Sequence, residues 1–194
     1  TRAAVRRKCN VGRGELMAVF VGAYGRKGLA PSIEAVAGLS PAQKKRVKLV
    51  AVGGGDRAYF AKLAAGLGVR DRLVFVEHTR DVLPYYQAAD LFVLPTFYEP
   101  FGLVILEAMS VGLPCLVSEC AGASELIVDH KSGSLIADPC DSPAIARKLE
   151  RLLDDDKYRA KLGAGARAVA ESRSWDRVSE EYAAFLAPLL EDRS

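Results

Sequence analysis

The sequence predicts an α/β fold: a Rossmann-like, doubly wound parallel sheet of about six strands, extended by extra helices at its C-terminal end. Three observations predict it. Short apolar runs alternate with helical patterns as far as residue 142. Those runs are continuously apolar rather than alternating, as in strands covered on both faces. Beyond residue 142 the pattern becomes helix only, with apolar residues spaced to line one face.

The elements follow in order. Residues 16–21 (LMAVFV) read as the first strand, with a helix near residues 32–39. Residues 47–52 form a second strand, followed by a helix over 58–67. Residues 73–76 are the third, with a helix around 82–89, and residues 91–94 the fourth, stopped by Pro95 and followed by a helix from about Phe101 to Val111. Residues 114–118 are the fifth, residues 124–128 a short helix and residues 134–136 a sixth strand. In the helical extension, residues 142–194, Ser142 is the expected cap with Pro143 at the first position. Ile145, Leu149, Leu152 and Leu153 line one face there, and a second helix covers about 158–171. The third runs from about Asp176 to Leu190, with Val178, Tyr182, Phe185, Leu186 and Leu189 on its apolar stripe, and Pro188 is expected to kink or end it. Trp175 is expected to anchor that helix in the core.

The chemistry-bearing residues fall in the loops after the strands. These are residues 22–28 (GAYGRKG), 53–56 (GGGD), 77–80 (EHTR), the loop around Glu99, and residues 119–122 (ECAG). In a parallel sheet these loops all leave one edge, where such sheets bind ligands. The loops of the opposite edge, residues 39–45 and 68–72, read as connectors. In the first loop Gly22, Gly25 and Gly28 allow close backbone approach, and Arg26 and Lys27 supply two cations suited to phosphate. A phosphate cradle and a plain glycine-rich turn are equally compatible with those residues alone. The spacing is not the dinucleotide fingerprint, and the second strand ends in glycines rather than an acid. Both facts count against an NAD-dependent dehydrogenase or a flavodoxin-like domain.

The most informative stretch is residues 97–114, FYEPFGLVILEAMSVGLP. It orders a strand, a tight loop shaped by Pro100 and Gly102, and a helix N-terminus, a place where open α/β sheets hold phosphorylated ligands. The N–H groups of Phe101, Gly102 and Leu103 are the expected unpaired donors of the helix start. Glu99 sits at the opening. Glu107 lies about two turns into the helix on the face of Leu103, among neighbours so apolar that a buried, partnered carboxylate is expected rather than a solvent-facing one. Two carboxylates beside a phosphate site suggest sugar chemistry on a nucleotide. Among the other residues, Glu125 either caps the short helix or reaches the sugar. His78 either supports a ligand or closes a turn.

Composition narrows the function classes. The chain has 194 residues, half of them hydrophobic and about a quarter charged, enough for one domain with a full core. A net charge of +3 with scattered basic residues gives no nucleic-acid partner. The clusters Arg6-Arg7-Lys8 and Lys44-Lys45-Arg46 read as solvated faces ahead of a membrane-surface role. Cys9, Cys115, Cys120 and Cys140 form no C-x-x-C pair and His78 and His130 no zinc spacing, so a reduced, cytoplasmic protein without a metal is expected, with Cys115 a buried small hydrophobe. Asp154-Asp155-Asp156 contains the letters of a D-x-D metal motif but reads as a solvated linker, away from the site edge. No apolar run approaches membrane-spanning length, and no signal peptide is expected. The start at Thr1 within a charged segment is expected of a piece of a longer protein.

With these residues in hand, nearly the whole chain resembles the C-terminal, donor-binding half of a GT-B glycosyltransferase of the retaining family 4. The family's glycine-rich KG loop resembles residues 22–28, and its E-x₇-E motif resembles Glu99 to Glu107. Its G-x-P resembles Gly112-Leu113-Pro114, its G-x-x-E-[LI]-I resembles residues 122–127, and its S-W-[DE] resembles Ser174-Trp175-Asp176. Commoner members carry Arg just after the strand glycine, where Ala23 stands here; the consecutive Arg26-Lys27-Gly28 is more similar to the lipopolysaccharide-core glucosyltransferases. The resemblance implies that Arg26 and Lys27 bind the donor diphosphate and, with Glu99, carry the catalytic roles. It implies that Glu107 holds the ribose and that Glu99 with the backbone of Phe101, Gly102 and Leu103 holds the transferred sugar. Gly22 and Gly25 border the donor, and His78, Thr79 and Arg80 lie where the family seats the base. It further implies a nucleotide-sugar donor of the UDP-glucose type, no metal or other cofactor, and a glycan or lipid-linked acceptor held by an absent N-terminal domain. Without that domain, weak or no transfer is expected. Peripheral association of the full-length protein with the inner face of the cytoplasmic membrane belongs to the same set of expectations. The rivals are another GT-B enzyme, an epimerase or phosphorylase, and a non-catalytic nucleotide-binding module.

Overall fold

A parallel sheet of six strands, in the order β3-β2-β1-β4-β5-β6, forms the centre of the molecule. The computed structural model describes residues 1–191. The strands are β1 (Leu16–Ala23), β2 (Val47–Gly54), β3 (Leu73–Val76), β4 (Leu91–Leu94), β5 (Cys115–Ser118) and β6 (Ser134–Ile136). β2, β4 and β5 are buried almost throughout, so their unbroken apolar composition does match two covered faces. The chain winds outward from β1 to β3, then crosses back and restarts at β4 beside β1. The connections therefore diverge between β1 and β4 and leave a crevice at the carboxyl ends of those two strands, the switch point of this topology.

Nine helices surround the sheet among the described residues: α1 (Arg2–Lys8), α2 (Leu29–Gly38), α3 (Pro41–Lys44), α4 (Arg57–Gly66), α5 (Leu83–Ala88), α6 (Leu103–Ser110), α7 (Ser142–Asp154), α8 (Asp156–Glu171) and α9 (Trp175–Glu191). Strand positions agree closely with the sequence expectation. Helix starts shift. α2 begins three residues before the expected start, because Pro31 sits in its first turn, where a missing N–H costs nothing. The helix expected at Phe101 begins at Leu103, capped by Gly102 in the left-handed region. The helix expected at 124–128 is a 3₁₀ turn, Gly122–Leu126. α7 is capped by Asp141, which accepts the Ala144 N–H at 2.8 Å. Ser142, expected in that role, instead donates its hydroxyl to Glu34 at 2.5 Å.

Several residues taken for solvated charges are structural. α1 is pinned by Asp90, which accepts from Arg2 at 2.5 Å, from Arg6 at 2.8 Å and from the Met17 N–H at 2.7 Å. Arg6 is thereby withdrawn from solvent, and only Arg7 and Lys8 of that cluster are exposed. The expected connector at 39–45 holds α3, with a reciprocal cap between Ser40 and Gln43. The three aspartates are not a free linker. Asp154 binds Arg46 at 2.6 Å and Gln43 at 2.7 Å, Asp155 caps α8 through the Tyr158 N–H at 2.8 Å, and Asp156 pairs with Arg159 at 2.7 Å.

α7 buries its stripe of Ile145, Leu149, Leu152 and Leu153, and α8 follows with Tyr158 and Leu162. α9 does not. Trp175, expected in the core, is 73 % exposed, and Tyr182, Phe185 and Leu186 also face solvent. The helix runs on past Pro188 to Glu191. Leu189 lies outside the residues whose side chains are described. Cys9 and Cys115 are buried, and burial pushes the Cys115 thiol far above the usual thiol range; Cys120 and Cys140 are exposed. No described helix is long and apolar enough to cross a membrane.

Asp90 supports α1, the start of β1 and the end of α5 together. Asp90→Ala leaves the Met17 N–H without its acceptor and strips Arg6 of its carboxylate partner, leaving it only the Ala88 and Glu15 carbonyls, with an expected loss of about 2–3 kcal/mol in unfolding free energy measured by denaturant titration.

Candidate functional site

The crevice between β1 and β4 is filled by two loops that lock onto each other. The turn after β1, residues 22–28, docks on the segment after β4. The Arg26 carbonyl accepts the Phe97 N–H at 3.1 Å and lies 3.2 Å from the Thr96 hydroxyl. That hydroxyl is also 3.1 Å from the Tyr98 carbonyl, so its single proton is shared between the two loops. Thr96 is fully buried, and its own carbonyl accepts from Ser118 Oγ at 2.6 Å. The contact is close at Gly28, where φ is +85° and an added Cβ would stand 1.9 Å from the Pro95 carbonyl oxygen. Only glycine fits there.

This docking brings Lys27 to Glu99. Their charged atoms are 3.0 Å apart and both side chains are 14 % exposed. Lys27 reaches that position by lying across Gly22, where a Cβ would meet the Lys27 side chain at 2.3 Å. Gly22 and Gly28 thus make room for the protein's own atoms, whereas Gly25 faces open space. Lys27 meets Glu99 as an ion pair without hydrogen-bond alignment, and Glu99 Oε2 is buried and accepts no hydrogen bond. The backbone of Glu99 is fixed on both sides, its N–H donating to the Cys120 carbonyl at 3.2 Å and its carbonyl accepting from Gly122 at 3.0 Å. Arg26 is exposed, and among the described residues its guanidinium pairs with no carboxylate.

α6 starts directly beyond this loop. No side chain caps it, so its first-turn donors, Leu103 and Val104, stand free of intrahelical partners. Phe101 lies outside the helix, and its carbonyl accepts from Ala123 at 2.7 Å; the donor set expected at Phe101, Gly102 and Leu103 is displaced toward the helix. Glu107 is little more than one turn from the start. It is exposed rather than buried, because the face of Leu103 and Glu107 looks outward while Ile105, Ala108 and Met109 enter the core. It has a partner nonetheless: the Tyr86 hydroxyl donates to Glu107 at 2.9 Å. Burial first, and then the Glu107 charge, push the Tyr86 phenol well above its usual range, so it remains a donor at any physiological pH.

Glu107 and Tyr86 line a cavity of ≈ 250 Å³ with Arg80, Asp81 and Ser110. Arg80 and His78 are exposed, while the Thr79 hydroxyl accepts the Asp81 N–H at 3.1 Å and shapes its turn. A larger cavity of ≈ 500 Å³ adjoins Glu107 on its other side, lined by Phe101, Leu103, Leu126 and Trp175. It is lined mostly by apolar residues, so it is the less suited of the two to a charged ligand; neither cavity is lined by Lys27 or Glu99. Glu125 is exposed on the 3₁₀ turn and does not cap it. Thr96, Ser118 and Tyr86 were not singled out in the sequence. The first two carry a faint signal, a hydroxyl at the end of an otherwise apolar strand; Tyr86 in PYYQ carries none. Among the described residues no group of three or more His, Cys, Asp or Glu is assembled as a metal site.

The profile of the family described as glycosyl transferases group 1 matches residues 1–169. The chain belongs to that family. It is 36 % identical over 181 residues to an uncharacterised glycosyltransferase of Methanocaldococcus jannaschii, covering 91 % of this chain and 46 % of the relative. It is 33 % identical over 160 residues to the lipopolysaccharide glucosyltransferase WaaG of Escherichia coli, covering 82 % of this chain and 43 % of WaaG. The crystal structure of WaaG superposes with a TM-score of 0.85 at 32 % identity, over 94 % of this chain and 50 % of that one. A structure of Anabaena HepE in complex with UDP-glucose matches with a TM-score of 0.79 at 27 % identity, over 96 % of this chain and 52 % of HepE. The chain spans about half the length of the relatives it matches, as a GT-B C-terminal domain does.

Gly28→Ala forces a side chain into the Pro95 carbonyl and an unfavourable backbone region. A loss of about 2–3 kcal/mol in chemical unfolding is expected, against little change for Gly25→Ala, whose Cβ meets nothing within 4 Å.

Proposed function

We propose that this chain is the donor-binding half of a retaining hexosyltransferase that moves a sugar, of the UDP-glucose type, to a glycan or lipid-linked acceptor held by a second domain. The observation that carries the proposal is the meeting of Lys27 and Glu99 at the switch point, beside an uncapped helix start. A diphosphate there gains from Lys27, from Arg26 and from the free donors of α6. Glu107, with Tyr86 holding one oxygen, is left an outward-facing oxygen for the ribose hydroxyls. Arg80 lines the cavity that Glu107 and Tyr86 share, and with His78 and Thr79, which precede it in the β3 loop, it is assigned to the base. Glu99 then faces the hexose.

The reaction follows from these placements. The bond from the anomeric carbon to the terminal phosphate oxygen breaks, with Lys27, Arg26 and the α6 N-terminus stabilising the charge that develops on the phosphate. The acceptor hydroxyl bonds to that carbon on the same face, and its proton passes to the departing phosphate. Glu99 serves as electrostatic support rather than as a covalent nucleophile. In the two-carboxylate scheme a second acid must flank the same bond, and Glu107 is occupied with Tyr86 and the ribose. No metal is assigned a role, since the fixed cations take the phosphate charge. The name of WaaG and the UDP-glucose complex of HepE support the choice of nucleotide and sugar. The exposed aromatic face of α9 is the surface we assign to the second domain, and a cytoplasmic site of action at the membrane face goes with a lipid-linked acceptor.

Calorimetric titration of UDP-, GDP- and ADP-glucose into the chain ranks the nucleotides, with UDP-glucose expected first. Lys27→Ala is expected to weaken nucleotide binding at least tenfold, about 1.4 kcal/mol; unchanged affinity there would remove the phosphate assignment. Glu107→Gln is expected to weaken UDP binding about tenfold while leaving the 2′,3′-dideoxy nucleotide unaffected. An equal loss for both ligands would place the ribose elsewhere.

A further inference from the structure

The cleft carries its own anion. Glu99 stands 3.0 Å from Lys27 in a site where each side chain is 14 % exposed, and its Oε2 is buried with no hydrogen bond to any donor. It has little freedom to withdraw, since its backbone is tied to Cys120 and Gly122 and its stem lies against Gly102. Any phosphate that comes to Lys27 is therefore brought up to a fixed negative charge, and like charges at such a distance oppose each other strongly in a partly buried site.

Two ligands of the proposed site meet that charge differently. In a nucleotide sugar the terminal phosphate is a diester with one negative charge, and a neutral polyol lies beyond it. Its hydroxyls can donate to the Glu99 carboxylate in charge-assisted hydrogen bonds. In the free nucleoside diphosphate the same phosphate is a monoester with close to two negative charges. It offers Glu99 no donor. We propose that Glu99 sets the ligand preference of this site, favouring the sugar-bearing diphosphate over the free nucleoside diphosphate by repelling the extra phosphate charge. Resting on the donor-site assignment above, this gives the carboxylate that receives the sugar a second effect: the product of transfer is left in a site that disfavours it.

The test is calorimetry of the 194-residue chain with UDP and UDP-glucose, unaltered and as Glu99→Gln and Lys27→Gln. Glu99→Gln is expected to bind UDP about five- to tenfold tighter and UDP-glucose more weakly, so that the ratio of the two affinities shifts at least about tenfold toward UDP. UMP, which lacks the terminal phosphate, is expected to bind Glu99→Gln and the unaltered chain alike. UDP binding that is unchanged or weaker in Glu99→Gln, with Lys27→Gln still losing UDP, overturns the inference and leaves the donor site standing. UDP binding that survives Lys27→Gln, or absent from the unaltered chain, removes the donor site and the inference with it. If Glu99→Gln does not fold, Glu99→Asp draws the charge back by one methylene and must shift the ratio the same way; no shift there also overturns the inference.

Discussion

The docking of the β1 turn against the β4 loop is the constraint on which the candidate site depends. Parallel β1 and β4 lie side by side, yet their connections leave in opposite directions, so the crevice between them must be closed by loop backbone. Closure by the Gly22 turn leaves no space for a Cβ at Gly28 and seats the Arg26 carbonyl on Thr96 and Phe97. Lys27, one residue on, then has a single productive direction, across Gly22 to Glu99. The ion pair owes little of its place to its own attraction, much of which is offset by desolvation. It is positioned by hydrogen bonds and close packing that would exist without it.

The second acid is held by a different principle. α6 faces the core with Ile105, Ala108 and Met109, and its helical period then turns Leu103 and Glu107 outward. Glu107 is oriented by one neutral donor, the phenol of Tyr86, whose proton is secured by burial. One carboxylate faces a cation and the other a neutral hydroxyl. A ligand with a charged centre and polyol groups on either side suits that division. The same helix offers its uncapped N-terminus to the charged centre, so one short element serves several parts of a nucleotide sugar.

Much of this was legible in the sequence, and the reasons are specific. Strand positions could be read because covered parallel strands are short runs of consecutive apolar residues, and Pro or Gly bounds several of them here. Lys27 and Glu99 could be named because such residues have few structural uses in loops at one sheet edge. Glu107 was misjudged as buried because its neighbours LVIL and AM are apolar in sequence, while only the rotation of α6 decides which of them face the core. Trp175 was misjudged because an aromatic at a helix start is an anchor only where something covers it, and α9 has no such cover here. Asp154 and Arg6 looked like solvated charges. Their partners lie scores of residues away, and periodicity carries no record of them.

The sequence by itself determined the parallel α/β sheet, the edge at which its informative loops gather, and the residue types available there. These follow from local apolar runs and turn residues, whose effects extend over a few positions. Only the tertiary structure decided that Lys27 reaches Glu99 and not solvent, that Thr96 and Ser118 join the two loops, and that Tyr86 serves Glu107. Those are contacts between segments brought together by strand order. The crossing from β3 back to β4 sets that order, and it is fixed by packing of the whole sheet rather than by any one stretch of chain.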